Sequence, residues 1–156
     1  MNARLIRLRP ASLSDVPLLV ELEHTCFATD RLSLRSFRRL AISLAAAVLV
    51  AETPSGIMGC LVLLFRSRSS IGRIYSLAVH PDSRRRGLAS RLLAGGERLA
   101  ARRGAAAVRL EVREDNLAAA HLYRHNGYRT LDRRAGYYED GAAALRLEKK
   151  IGGGRP

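Results

Sequence analysis

One run constrains this chain more than any other: Tyr75-Ser76-Leu77-Ala78-Val79-His80-Pro81-Asp82-Ser83-Arg84-Arg85-Arg86-Gly87-Leu88-Ala89-Ser90-Arg91-Leu92-Leu93. An apolar stretch of strand length meets a proline, a basic loop with one glycine, and then leucines at helical spacing. The first N–H groups of a helix have no internal partner, and the helix dipole is positive there. Gly87 lets the backbone turn sharply and puts no Cβ in a ligand's way. Arg84, Arg85 and Arg86 add charge at the same point. The run reads as a strand, a loop and a helix built around an anion site, and a diphosphate suits it.

The flanking sequence supplies a sheet and helices for that junction. Residues 4–9 read as a first strand ending at Pro10. Ser12 or Ser14 can cap a helix in which Val16, Leu18, Leu19, Leu22 and Cys26 recur at helical spacing. A second helix is expected from about Ser33 to Ile42, with Arg35, Arg38 and Arg39 on its outer side. Ala47–Ala51 and Ile57–Phe65 flank the turn Thr53-Pro54-Ser55-Gly56 as a hairpin. After the central run, whose helix extends to about Arg103, Ala107–Val112 reads as a strand. Asp115 or Asn116 caps a helix to about His125, and two strands follow near 128–134 and 143–148. The order is βααβββαβαββ, an α/β fold with a mixed sheet. No repeat or linker divides it, so residues 1–150 are expected to form one domain and 151–156 a flexible tail.

Composition narrows the classes. The length of 156 residues with 47% hydrophobic residues suits one core. No apolar run approaches the roughly 18 residues of a membrane span. Two cysteines, Cys26 and Cys60, are too few for a disulfide framework or a zinc site, so both are expected reduced and buried in a cytoplasmic protein. His24, His80, His121 and His125 have no metal-ligand spacing, and no metal is expected. A net charge of +13 points to an acidic partner. Arginine-rich composition is expected to be the main cause of the excess, because only Lys149 and Lys150 are lysines; Arg84, Arg85 and Arg86 are the exception, with a local use. With aromatics at 5% and no Trp, a nucleic-acid substrate is not expected.

The central loop is neither a Walker A motif nor a Rossmann fingerprint, since Gly87 stands alone. Arg84-Arg85-Arg86-Gly87-Leu88-Ala89 fits Gln/Arg-x-x-Gly-x-Gly/Ala. It is preceded by Ser76-Leu77-Ala78-Val79-His80-Pro81. It is followed by Leu110-Glu111-Val112-Arg113 and by Asn116-x-x-Ala119-x-x-Leu122-Tyr123-x-x-x-Gly127-Tyr128. On these residues the chain resembles the GNAT N-acetyltransferase superfamily, and most closely its ribosomal-protein alanine N-acetyltransferase (RimI-like) branch. The likeness is close over about 73–149 and holds only by element order before that. It implies a mostly antiparallel sheet of about seven strands flanked by about four helices.

The resemblance also implies roles. Acetyl-CoA would be the cosubstrate and CoA a product. The backbone of Leu77, Ala78 and Val79 would pair with the pantetheine arm as an added strand would. The N–H groups of Arg84, Arg85, Arg86, Gly87, Leu88, Ala89 and Ser90 would hold the diphosphate, and Asn116 the arm. Ala89 replaces a common glycine and is tolerated if the position is helical. Tyr123 would donate a proton to the departing thiolate. Asn116 and Tyr123, seven residues apart, share one helix face. Glu111 would take the proton of the incoming ammonium. Taken without the resemblance, Tyr123 is a core tyrosine and Glu111 an ion-pair partner for Arg109 and Arg113.

Glu23, Phe27, Tyr75, Tyr137 and Tyr138 are the candidate acceptor contacts, although the spacing of Asp30 and Ser33 after Phe27 departs from the RimI-like pattern. The implied acceptor is a protein or peptide amine, N-terminal or lysine, with ribosomal protein among the candidates. A small-molecule amine acetyltransferase and a non-catalytic acyl-CoA sensor are the alternatives. A monomer or homodimer is expected, with no membrane partner. Neither cysteine lies in the motif region, so no acyl-cysteine is expected.

Overall fold

The computed structural model describes residues 5–152. The elements, in order, are strand β1 (Arg7–Pro10), helices α1 (Val16–Cys26) and α2 (Leu34–Ile42), and strands β2 (Ala46–Thr53), β3 (Gly56–Phe65) and β4 (Ile71–Val79). Then come α3 (Leu88–Arg102), β5 (Ala107–Arg113), α4 (Leu117–His125), β6 (Arg129–Arg134) and β7 (Ala144–Lys150). This is the order read from the sequence, with boundaries unchanged or shifted by at most three residues. Short 3-10 turns, Leu13–Asp15 and Pro81–Ser83, precede α1 and the central loop. The seven strands follow the order β1-β2-β3-β4-β5-β7-β6. The sheet is mostly antiparallel, and the β4–β5 pair is parallel.

The chain divides into two compact units. The first holds the residues up to Ser67 together with Ile74–Gly96; the second holds Arg68–Arg73 and the residues from Glu97 onward. In the first unit the pleat of β3 sends alternate residues to opposite sides. Cys60 and Val62 join Val16, Leu19, Leu22, Phe37, Val48, Val50 and Ala78 in one buried cluster. Gly59 and Leu61 meet α3 instead. A Cβ on Gly59 would lie 2.7 Å from Leu92, and one on Gly96 would lie 2.3 Å from Leu61, so both glycines are conditions of that close approach. Arg9 holds Asp15 through two bonds, of 2.7 and 3.0 Å, which fixes the entry to α1.

In the second unit β5 runs between the first residues of β4 and the full length of β7. Val108, Leu110, Val112 and Leu147 are buried, with Ala120, Tyr123 and Tyr128. The Tyr128 hydroxyl donates to Glu97 at 2.9 Å, and Lys149 reaches the other oxygen of that carboxylate at 2.9 Å. Gly104, at φ +87, ends α3, and the Asn116 side chain caps α4 by accepting from the Ala119 N–H at 3.1 Å. Ile151, assigned to the tail, donates its N–H to Ala106 O at 2.9 Å. Residues 153–156 of that tail lie outside the described residues, as do residues 1–4, including Arg4 of the expected first strand.

Candidate active site

In the first unit, β4 leaves a backbone edge open. β5 pairs with Ile71, Gly72 and Arg73 of β4, and among the described residues Ser76–Val79 shows no strand pairing on the side away from β3. The expected pairing segment Leu77–Val79 lies on this stretch. It leads through His80 and Pro81 into a loop with left-handed backbone at Arg85 (φ +63) and Gly87 (φ +76). The N–H groups of Arg85, Arg86 and Gly87 donate no hydrogen bond among the described residues. Gly87 O accepts the first helical bond of α3, from Arg91 N–H at 3.0 Å, so the N–H groups of Leu88 and Ala89 belong to the unpaired first turn. Nothing lies within 4 Å of a Cβ built on Gly87. The three arginine side chains are exposed. Ala89 is helical, so its Cβ causes no backbone strain. Free N–H groups, a helix start and cationic side chains meet the requirements of a diphosphate. Together with the open edge, they fit coenzyme A.

The acceptor candidates of this unit divide. Glu23 is 3% exposed. Its carboxylate accepts the Ser76 hydroxyl at 3.1 Å and the Leu32 N–H at 2.9 Å, so both oxygens are engaged inside the fold. Burial pushes its carboxyl pKa up. Glu23 thus ties the α1–α2 loop to β4 and presents no free carboxylate. Phe27 is half-buried against the first-unit core, and its carbonyl accepts Arg31 Nε at 2.6 Å. Tyr75 is exposed on β4. Cys26, expected to be buried and remote from the motif, is half-buried and donates its thiol to Val79 O at 3.3 Å. Arg84 Nε donates to the same oxygen at 3.1 Å. Burial raises the pKa of both thiols, which keeps Cys26 and Cys60 protonated and poor nucleophiles.

In the second unit, strand register brings Arg73 to Glu111. Arg73 stands opposite Arg109 in the parallel pair, and Glu111 lies two residues farther along the same face. The Arg73 Nη2 to Glu111 Oε1 distance is 2.5 Å. The Tyr137 hydroxyl donates to the same oxygen at 3.2 Å. The arginines expected beside Glu111 go elsewhere. Arg109 pairs with Glu148 at 2.5 Å, and Arg113 pairs with Asp115 and Asp140 at 3.2 and 2.6 Å. Tyr138 packs edge-on to Tyr137 with ring centroids 5.0 Å apart, and Arg113 lies over the Tyr138 ring. Tyr137 is exposed and Tyr138 half-buried; Tyr137 touches the Glu111 carboxylate, and Tyr138 packs on Tyr137.

Tyr123, on α4, is 8% exposed and packs edge-on against Tyr128 at 5.8 Å. Its hydroxyl has no hydrogen-bond partner among the described residues. Ser83 Oγ is the one fully sealed side-chain polar atom among them without a partner, so the Tyr123 hydroxyl retains an opening to the outside. Burial pushes its pKa up to about 12, which keeps the phenol protonated at neutral pH. Asn116 spends Oδ1 on the helix cap, and its amide N–H groups are uncommitted among the described residues.

Residues 16–128 match the model of the acetyltransferase (GNAT) family. The chain belongs to the GNAT acetyltransferase family. An acetyltransferase of Pectobacterium atrosepticum is 38% identical over 84 residues, covering 54% of this chain and 58% of that protein. The chloroplastic GCN5-related N-acetyltransferase 4 of Arabidopsis thaliana is 31% identical over 113 residues, covering 70% of this chain and 38% of that protein. The chain therefore matches less than two thirds of the length of these relatives.

Among solved structures, the ribosomal-protein-S18-alanine N-acetyltransferase of Escherichia coli is similar with a TM-score of 0.85 at 23% identity, over 96% of each chain. Ard1 of Thermoplasma volcanium follows at 0.84 and 24%, over 94% of this chain and 98% of that one. The paia N-acetyltransferase of Thermoplasma acidophilum, in complex with coenzyme A, gives 0.79 and 19%, over 94% and 99%. At these identities the likeness establishes the fold.

Sequence reasoning missed Arg73, Ser76 and Cys26. Each meets its partner through strand pairing or packing between residues far apart in the chain, and no local pattern marks any of them. No group of three or more potential metal ligands occurs among the described residues, and none of the described helices is long and apolar enough to cross a membrane.

Proposed function

We propose that this protein is an N-acetyltransferase that moves the acetyl group of acetyl-CoA to a primary amine of a protein or peptide, N-terminal or lysine. The observation that carries the reading is the Ser76–Val79 edge, open among the described residues, running into the N–H groups of Arg85, Arg86 and Gly87, which have no partner among them. An extended amide-bearing arm that ends in a diphosphate is complementary to that sequence of groups.

Bound acetyl-CoA supplies an acetyl group activated as a thioester. Leu77–Val79 pair with its arm, and the backbone of 84–90 holds its phosphates, with Arg84, Arg85 and Arg86 adding charge. The Asn116 amide donates to the arm. The Val79 N–H polarises the carbonyl under attack. Glu111 accepts a proton from the incoming ammonium, directly or through water, and Tyr137 and Arg73 fix its carboxylate in place. Tyr123 holds its proton until negative charge develops on the leaving sulfur, then donates it. Transfer is direct, within a ternary complex, and needs no acyl-cysteine. Tyr75, Tyr137 and Tyr138 contact the acceptor; Phe27 and Glu23 shape its side from within the first unit.

The test is acetyl-CoA turnover by wild type and Tyr123→Phe with a responsive peptide amine. The variant should retain acetyl-CoA binding and lose kcat. Unchanged kcat would remove Tyr123 from the chemistry.

A further inference from the structure

Helix α2 turns one face outward. At about 100° per residue, Leu34, Arg35, Arg38, Arg39 and Ile42 share one side. All five are exposed, Leu34 by 39% and Ile42 by 69%, and Leu44 just beyond the helix is 94% exposed. Ser36, Phe37, Leu40 and Ala41 face inward. The helix contains no acidic residue. Arg35, Arg38 and Arg39 form no ion pair among the described residues. Arg9, Arg109, Arg113 and Arg146, by contrast, pair with carboxylates. Arg35 and Arg39 repel each other at i,i+4, and Arg35 sits in the first turn, where the dipole disfavours a cation. Ser33 caps the helix by accepting from Ser36 N–H at 3.1 Å, and Arg39, in the last turn, is favoured by the dipole, so the cost falls on Arg35.

We propose that this face docks an acidic segment with interspersed apolar side chains, carried by the polypeptide acceptor. The proposal rests on the acetyl-transfer reading above. Arginines among exposed aliphatic side chains are complementary to a partner that carries both carboxylates and apolar side chains. Carboxylates would neutralise Arg35, Arg38 and Arg39, and apolar side chains would cover Leu34, Ile42 and Leu44. A second copy of this chain, at +13, would bring like charge to the face. A nucleic acid would leave the aliphatic side chains uncovered and find no exposed ring to stack on, because Phe37, the aromatic residue of α2, is buried.

Position supports the acceptor as the carrier. The Glu23 carboxylate joins Leu32, at the entry to α2, to Ser76 of β4, so the helix begins two hydrogen bonds from the proposed cofactor strand. Nine helical residues span about 13 Å, the reach of about four residues of extended chain.

The experiment uses peptides with one common N-terminal tripeptide followed by acidic-leucine, neutral-polar or basic tails. Acetylation is followed as free CoA, and binding as fluorescence anisotropy. The acidic tail should give a kcat/KM about tenfold above the basic tail at low salt, and the gap should shrink as salt rises. The triple variant Arg35→Glu, Arg38→Glu, Arg39→Glu should reverse the order with the KM for acetyl-CoA unchanged. The corresponding triple Gln variant should abolish the preference. Equal rates on all tails, or a preference that survives both variants, would overturn the proposal. So would binding of a single-stranded RNA probe, or of anionic vesicles, that outcompetes the acidic peptide through the same arginines. Failure to acetylate any tail would overturn the acetyl-transfer reading instead. Tail-selective binding in the anisotropy arm would then still support the docking face, and its absence would overturn it.

Discussion

Glu111 and Arg73 form a close ion pair across the parallel β4–β5 register, with Nη2 and Oε1 2.5 Å apart. The pair gives the proposed base a fixed position and a counterion before any ammonium arrives. It also separates two readings of Glu111. As a base, Glu111 does work that Arg73 cannot share; as a purely structural carboxylate, it acts only through the pair. Glu111→Gln is expected to lower kcat about a hundredfold with the KM for acetyl-CoA unchanged. Arg73→Ala should cost much less activity and less than about 1 kcal/mol of stability, because its guanidinium is partly solvated. Equal losses in the two variants, with no further loss in the double variant, would mark a structural ion pair.

Tyr123 is the proposed acid, and burial sets the state in which it works. Its pKa, pushed up to about 12, leaves it protonated across the pH range of an ordinary assay. The kcat–pH profile of wild type should therefore show no alkaline loss from this group below pH 10. Tyr123→Phe should lower kcat about a hundredfold at every pH between 6 and 10. Acetyl-CoA affinity by calorimetry should stay within a few-fold.

The proposed diphosphate loop would bind through its backbone more than through its charges. Gly87 has φ +76, where a β-branched residue is strained, whereas Arg85→Ala keeps the backbone and removes only an exposed cation. Gly87→Val is expected to weaken acetyl-CoA binding more than Arg85→Ala does. The reverse order in calorimetry would make charge the dominant contribution.

How much of this was legible in the sequence follows from how local each interaction is. The strand-loop-helix junction, the Asn116 cap and the arginines on the outside of α2 each depend on neighbours within one turn or one motif, and the sequence displays them. The partner of Glu111 does not, because it is chosen by register. Arg109 and Arg113, near in sequence, turn to Glu148 opposite on β7 and to Asp115 and Asp140. Glu23 was readable as an acid near the acceptor side. Its burial depends on Ser76, 53 residues away, and on Leu32 across a loop, neither of which has a local signature. Cys26 was set apart by sequence distance, yet its thiol meets Val79 O in the folded chain.

Packing around α3 gives a stability prediction in which two effects oppose. Gly96→Ala gains helix propensity of up to about 1 kcal/mol. The new Cβ would lie 2.3 Å from the fully buried Leu61, and such overpacking costs roughly 1–3 kcal/mol. The clash should win, so the urea midpoint should fall with an unchanged m-value.

Asp15 sets an acid limit on stability. Two bonds from Arg9 hold its pKa down to about 2 from its ordinary 3.8. The folded value is the lower one, so the contribution is fully present above pH 4 and is lost as pH falls toward 2. It amounts to something on the order of 2 kcal/mol for this largely buried carboxylate. Asp15→Asn should lower stability at pH 7 and flatten its decline between pH 4 and 2, as read from denaturant midpoints. A parallel decline in wild type and variant would assign the acid sensitivity to other groups.

The most direct measurement mixes the protein with acetyl-CoA and a panel of peptide N-terminal, lysine and small-molecule amines, and follows free CoA alongside product masses. Acetyl transfer predicts CoA release that requires an amine, matches one acetyl group gained per product, and favours peptide amines. Acetyl-CoA binding with no acetylated product anywhere in the panel would contradict it.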